Sequence, residues 1–68
     1  MAKLSLAAME KFLKEAGAKR VSNEAKKAFA EALSDVAADL AAEAVKLSKH
    51  AGRRTVKRSD VQLAAKSL

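Results

Sequence analysis

The sequence predicts an all-α chain of a short, a long and a short helix, and three observations carry this reading. The 68 residues contain no Pro and only two glycines, Gly17 and Gly52, so strong breakers occur at just two places. Apolar residues recur at helical spacing in each of the three segments so divided. Ser22 and Ser59 stand where the second and third segments need helix-starting residues.

In the first segment Leu6, Met9, Leu13 and Ala16 fall at i, i+3, i+7 and i+10 with Phe12 alongside, while Glu10, Lys11, Lys14 and Glu15 take the other side. Gly17 suits the position just past the helix, where a positive φ costs glycine little.

The central helix is expected from Asn23, after the N-cap Ser22, to about His50. At 100° per residue Phe29, Leu33, Val36, Leu40 and Leu47 lie within an arc of ~60°, with Ala30, Ala37, Ala41 and Ala44 as a second flank. At ~1.5 Å per residue this helix is ~42 Å long, whereas a compact globule of this chain length is only ~28 Å across. Two short helices cannot cover such a stripe. A second copy crossing it buries both, so Phe29, Leu33, Val36 and Leu40 are predicted to form the core of a homodimer.

Glu31, Asp35, Asp39 and Glu43 recur every four residues on the same helix. They are read as a solvated face and not as a metal site, since no second ligand type accompanies them. The third helix is expected to begin at Ser59 with an S-x-x-Q capping box closed by Gln62, and to bury Val61, Ala64, Ala65 and Leu68. Residues 1–68 are read as one domain.

Composition supports association. Half of the residues are hydrophobic, but 17 are alanine and only Phe12 and Phe29 are aromatic. Small domains with thin cores rely on disulfides, metals or oligomerisation. With no Cys and a single His, neither a disulfide nor an ordinary zinc cage can form, and association is the remaining route. The longest uncharged run, Leu4 to Met9, is too short for a membrane span or a signal-peptide core. A cytoplasmic location without membrane partners is therefore expected.

Charge points to the partner. Fourteen Lys and Arg against eight Asp and Glu give +6, with a pI near 10.0, a balance that favours a polyanion, and nucleic acid first. Residues 1–22 hold five positive and two negative charges, 23–50 four and five, and 51–68 five and one. The excess sits at the ends and junctions. Lys19-Arg20 precede the central helix and Arg53-Arg54 with Lys57-Arg58 follow it. Beside these clusters Val21 and Thr55-Val56 are β-branched, so each connection is expected to hold a short extended piece that pairs with the other. In an antiparallel dimer the start of one central helix meets the end of the other, which places the two basic connections side by side.

Catalysis finds no support. There is no phosphate-binding glycine loop, no Cys, Tyr or Trp, and no local nucleophile motif. His50, the lone candidate base, sits where a helix C-terminus favours an imidazole for the dipole or an interface hydrogen bond. No enzyme activity, cofactor or small-molecule substrate is predicted. With both Phe residues on apolar stripes, nothing remains to stack on unpaired bases, which disfavours single-strand modules. Without Asn or Gln on an exposed helix face, base edges are not read, so duplex binding should be sequence-tolerant.

The stretch ADLAAEAVKLSKHAGRRTVKRSDV at Ala38–Val61, together with KEAGAKRVS at residues 14–22, resembles the archaeal histones. The similarity runs from Met9 to Lys66, and its most specific segment is HAGRRTV at His50–Val56 followed by Asp60. The resemblance implies a histone fold and a handshake homodimer that binds and compacts double-stranded DNA on the chromosome. It implies that Arg20 enters the minor groove, and that Ser22, Arg54, Thr55 and Lys57 belong to the DNA-contacting loops. Lys11 and Lys14 would reach the backbone from the first helix. It implies an intrachain ion pair of Arg53 with Asp60. Leu47, His50 and Asp60 would make a dimer–dimer contact, giving tetramers or longer assemblies on DNA. Gly17 would occupy a small-residue position where stacked turns of that assembly approach. The alternative is a histone-fold subunit of a heterodimeric transcription or chromatin complex.

Where the family often carries prolines near its start, this chain has Leu4-Ser5-Leu6-Ala7-Ala8, so an earlier first helix is expected. Lys11 stands in place of the more usual Arg, which keeps the charge and loses the bidentate fork. Nothing follows Leu68 in the sequence, and no tail-based regulation is expected.

Overall fold

The computed structural model describes residues 4–67. Three helices follow one another: α1 (Leu6–Glu15), α2 (Asn23–His50) and α3 (Arg58–Lys66). No strand occurs among the described residues. This is the all-α, short–long–short order of a histone fold.

Local chemistry sets the boundaries. Ser5, in extended backbone, accepts the Ala8 N–H on its hydroxyl at 3.3 Å and so caps α1. Ser22 does the same for α2, accepting the Ala25 N–H at 3.0 Å while its carbonyl takes the Lys26 N–H at 3.1 Å. α1 and α2 stop by one device. Gly17 (φ 120°) donates to the Lys14 carbonyl and Ala18 to the Leu13 carbonyl, each at 3.0 Å. Gly52 (φ 72°) donates to Lys49 at 2.9 Å and Arg53 to Ser48 at 3.0 Å. Both are the paired bonds of a Schellman ending, which needs a left-handed residue and therefore glycine.

The start of α3 differs from the expectation. Its N-cap is Lys57, not Ser59, and Asp60 rather than Gln62 reaches back, with Asp60 Oδ2 accepting the Lys57 N–H at 2.7 Å. A carboxylate in the first turn is the stronger acceptor and also faces the positive end of the helix dipole, which explains why it prevails over the neutral amide.

The chain divides into two compact units, Met1–Asp35 and Val36–Leu68, with α2 continuing through both. In the first, Met9 is buried and Leu13, Phe29 and Leu33 are half-buried. In the second, Ala44, Ser48, Asp60 and Ala64 are buried, and Leu40 and Leu47 half-buried. Ser48 satisfies its hydroxyl by donating to the Val45 carbonyl at 3.1 Å.

Several residues of the expected apolar stripes are open in a single chain, Val36, Ala37 and Ala41 among them, whose expected cover is a second copy. Phe12 is 51% exposed, Val36 47% and Val61 41%; Ala16, Ala37, Ala41 and Ala65 are exposed as well. Leu68 lies outside the described residues. The cause is scarcity of cover, because among the described residues only Met9, Ala44 and Ala64 are fully buried hydrophobic side chains. The apolar stripes are wider than one chain encloses. Exposure of Phe12 also corrects the argument against base stacking, which rests on there being two aromatics in the chain and not on both being covered.

Candidate nucleic-acid interface

The first connection follows the glycine stop of α1. Lys19, Arg20 and Ser22 are exposed and Val21 is half-buried. The Ser22 oxygen is engaged as the cap of α2, which leaves its hydroxyl proton able to donate elsewhere. On α1 itself Lys11 is exposed, whereas Lys14 is held by Glu10 at 3.0 Å. The second Glu10 oxygen takes Lys26 of α2, also at 3.0 Å. Hydrogen bonds from Lys14 and Lys26 lower the Glu10 pKa against a small opposing effect of burial.

The second connection is built around Arg53. Its N–H completes the glycine ending of α2. Its Nη1 donates to the Thr55 carbonyl at 3.0 Å and to Asp60 Oδ2 at 2.8 Å, and its Nη2 to Asp60 Oδ1 at 2.7 Å. Arg53 thus ties three parts of the chain, its backbone N–H holding the end of α2 and its planar guanidinium joining the middle of the loop to the first turn of α3. Asp60 is only 5% exposed. The Arg53 hydrogen bonds, and next the Lys57 N–H, outweigh desolvation and pull its pKa from 3.8 to about 2. Asp60 in turn raises the Arg53 pKa.

Around this fixed frame Arg54, Thr55, Lys57 and Arg58 are exposed. Among the described residues Lys19, Arg20, Arg54, Lys57 and Arg58 form no ion pair. The structure therefore brings Arg53 and Asp60 together with Thr55 and Lys57, and leaves the remaining loop cations facing solvent. Leu47 is half-buried and His50 exposed in the last turn of α2, while both oxygens of Asp60 are engaged within the chain. Val21 and Thr55-Val56 lie in irregular backbone in the described chain, and their expected pairing joins one chain to a second copy.

Glu31, Asp35 and Asp39 are exposed and Glu43 half-buried. No group of three His, Asp or Glu among the described residues is placed to hold a metal ion, and no described helix is long and apolar enough to cross a membrane.

Sequence reasoning missed three features. The Asp60 cap was visible as an acidic residue three positions after Lys57, and the Glu10–Lys14 pair as an i, i+4 spacing. Contact of Glu10 with Lys26, across sixteen positions of sequence, leaves no local signal.

A family model described as "Histone-like transcription factor (CBF/NF-Y) and archaeal histone" matches residues 2–65. Similar proteins include a subunit of the archaeal histone HAN1 of Thermococcus zilligii, 45% identical over 67 residues, covering 98% of this chain and all of that protein. Another is "Probable archaeal histone 3" of Methanocaldococcus jannaschii, 52% identical over 64 residues, covering 94% of this chain and 96% of that protein. The chain belongs to the archaeal histone family. As an archaeal histone it is a chromosome-associated, DNA-binding histone-fold protein and not an enzyme. The Arg53–Asp60 staple and the exposed cations around it are thus features of a histone loop.

Proposed function

We propose that residues 1–68 form one histone-fold domain that pairs as a handshake homodimer, binds duplex DNA with little sequence preference and compacts it in the cytoplasm. Phe29, Leu33, Val36 and Leu40 form the seam, and their incomplete cover in one chain supports this. Arg20 enters the minor groove, where histones read width and charge without base-specific contacts. Ser22, Arg54, Thr55 and Lys57 bind phosphate from the loops, with Lys11 and Lys14 on α1 beside them. Leu47, His50 and Asp60 form the contact through which dimers assemble further along DNA.

One observation carries the reading: the loop is fixed by Arg53 on Asp60 while the cations next to it carry no ion pair among the described residues. A positive surface without carboxylate partners suits phosphate. The test is to size the purified protein and to titrate it against two unrelated duplexes of equal length at one salt concentration. A folded dimer with similar affinity for both supports the proposal. Strong preference for one duplex refutes sequence tolerance.

The Thermococcus zilligii relative is named as one subunit of a histone, which favours a second reading in which this chain pairs with a different histone-fold chain. A protein that stays unfolded alone and folds on mixing with a paralogue establishes that reading instead.

A further inference from the structure

We propose that Glu10 holds Lys14 back from duplex DNA and so limits the contribution of α1 to binding. The proposal rests on the reading that α1 faces the DNA backbone. Lys14 Nζ lies 3.0 Å from Glu10 Oε2, and Lys26 Nζ lies 3.0 Å from Glu10 Oε1. Side-chain exposures of 51% for Lys14, 34% for Glu10 and 17% for Lys26 rank the three. Lys26 is the covered anchor, Glu10 the link and Lys14 the outer arm. Because Lys26 secures its other oxygen, Glu10 does not simply swing away when a phosphate arrives. A phosphate oxygen ~3 Å beyond the Lys14 ammonium stands ~6 Å from the carboxylate at most, within a Debye length and therefore repelled. Lys11, three positions before Lys14, is exposed and forms no ion pair among the described residues. The two lysines thus have unequal access to phosphate, and Glu10 is the positioning residue that makes them so.

Partly exposed ion pairs add little to folding stability, so removal of the Glu10 charge should register in DNA binding more than in melting. The measurement is Kd for one duplex between 50 and 200 mM salt, with thermal melting of each variant followed by circular dichroism. Each added phosphate contact steepens log K against log salt by about 0.9, so freeing Lys14 in both protomers makes the loss over this range about tenfold larger. Glu10→Gln is expected to bind more tightly at low salt and to show that steeper slope. Adding Lys14→Gln cancels the gain, and Lys14→Gln alone flattens the slope less than Lys11→Gln does. An unchanged slope in Glu10→Gln overturns the proposal, as does a gain that survives Lys14→Gln, because that gain would be a general charge effect. Should Glu10→Gln fail to fold, Lys11→Gln and Lys14→Gln decide the matter. Loss of Lys11 must flatten the slope more than loss of Lys14 does; equal flattening overturns it. Failure of the unaltered protein to bind duplex overturns the functional reading as well, while salt-dependent binding that ignores Glu10 removes only this inference.

Discussion

Salt titration of duplex binding tests the electrostatic mechanism most directly. In each chain Lys11, Arg20, Arg54 and Lys57 are exposed and form no ion pair among the described residues, while Arg53 is bound to Asp60 and Lys14 to Glu10. If these four carry the phosphate contacts, the proposed dimer offers about eight cations, and at ~0.9 per contact the slope of log K against log salt is about −7. Raising salt from 50 to 200 mM should weaken binding roughly 10⁴-fold. Fluorescence anisotropy on two unrelated duplexes of equal length measures this directly. Arg20→Ala removes two contacts per dimer, so the slope should relax to about −5 for both sequences. A slope shallower than about −3, or one that differs between the two duplexes, would refute the counting of free loop cations as phosphate contacts.

Three further outcomes are expected. Leu40→Glu places a charge in the proposed seam, where burial without a partner is costly, and should abolish the folded dimer in sizing and circular dichroism; a stable, folded Leu40→Glu monomer contradicts the handshake. Asp60 has a folded pKa of about 2 against an ordinary value of 3.8, so its stabilising effect is complete above about pH 4 and is lost as pH falls toward 2. Asp60→Asn should therefore melt lower than the unaltered protein at pH 5, with the gap closing by pH 2; a gap independent of pH would mean that the Arg53 pair does not hold the loop. Gly52→Ala meets no atom within 4 Å, yet at φ 72° the left-handed backbone costs about 1–2 kcal/mol. Partial compensation from the unfolded state leaves an expected fall in Tm of several degrees, and a rise in Tm would contradict this.

The backbone plan is legible in the sequence because it rests on local chemistry. Gly17, Ser22 and Gly52 set helix limits through bonds spanning three to five positions, and apolar periodicity marks each of the segments so divided as helical. The α3 start is not, because S-x-x-Q and the competing carboxylate at Asp60 overlap, and their ranking depends on the Arg53 guanidinium arriving from upstream. Apolar periodicity marks the right faces but not their cover: Leu33 and Leu40 are half-buried, while Val36 on the same arc is 47% exposed. A pattern of spacing states which side avoids water, not which chain shelters it. At the candidate interface the loop cations are readable as pairs in sequence. The restraint on Lys14 is not, because Lys26 meets Glu10 only after the chain has turned.

The Arg53 staple separates two tasks within a few residues of chain. Its bonds to Thr55 and Asp60 use a backbone carbonyl and a covered carboxylate, so none of them involves the side chains of Arg54, Lys57 or Arg58. The mount is therefore built without hydrogen bonds to what it carries, and the Lys57 charge adds only the weakest pull on Asp60. Exchange of those neighbouring side chains should retune grip on the polymer while the loop keeps its shape, whereas a change at Arg53 alters the posture of every contact at once.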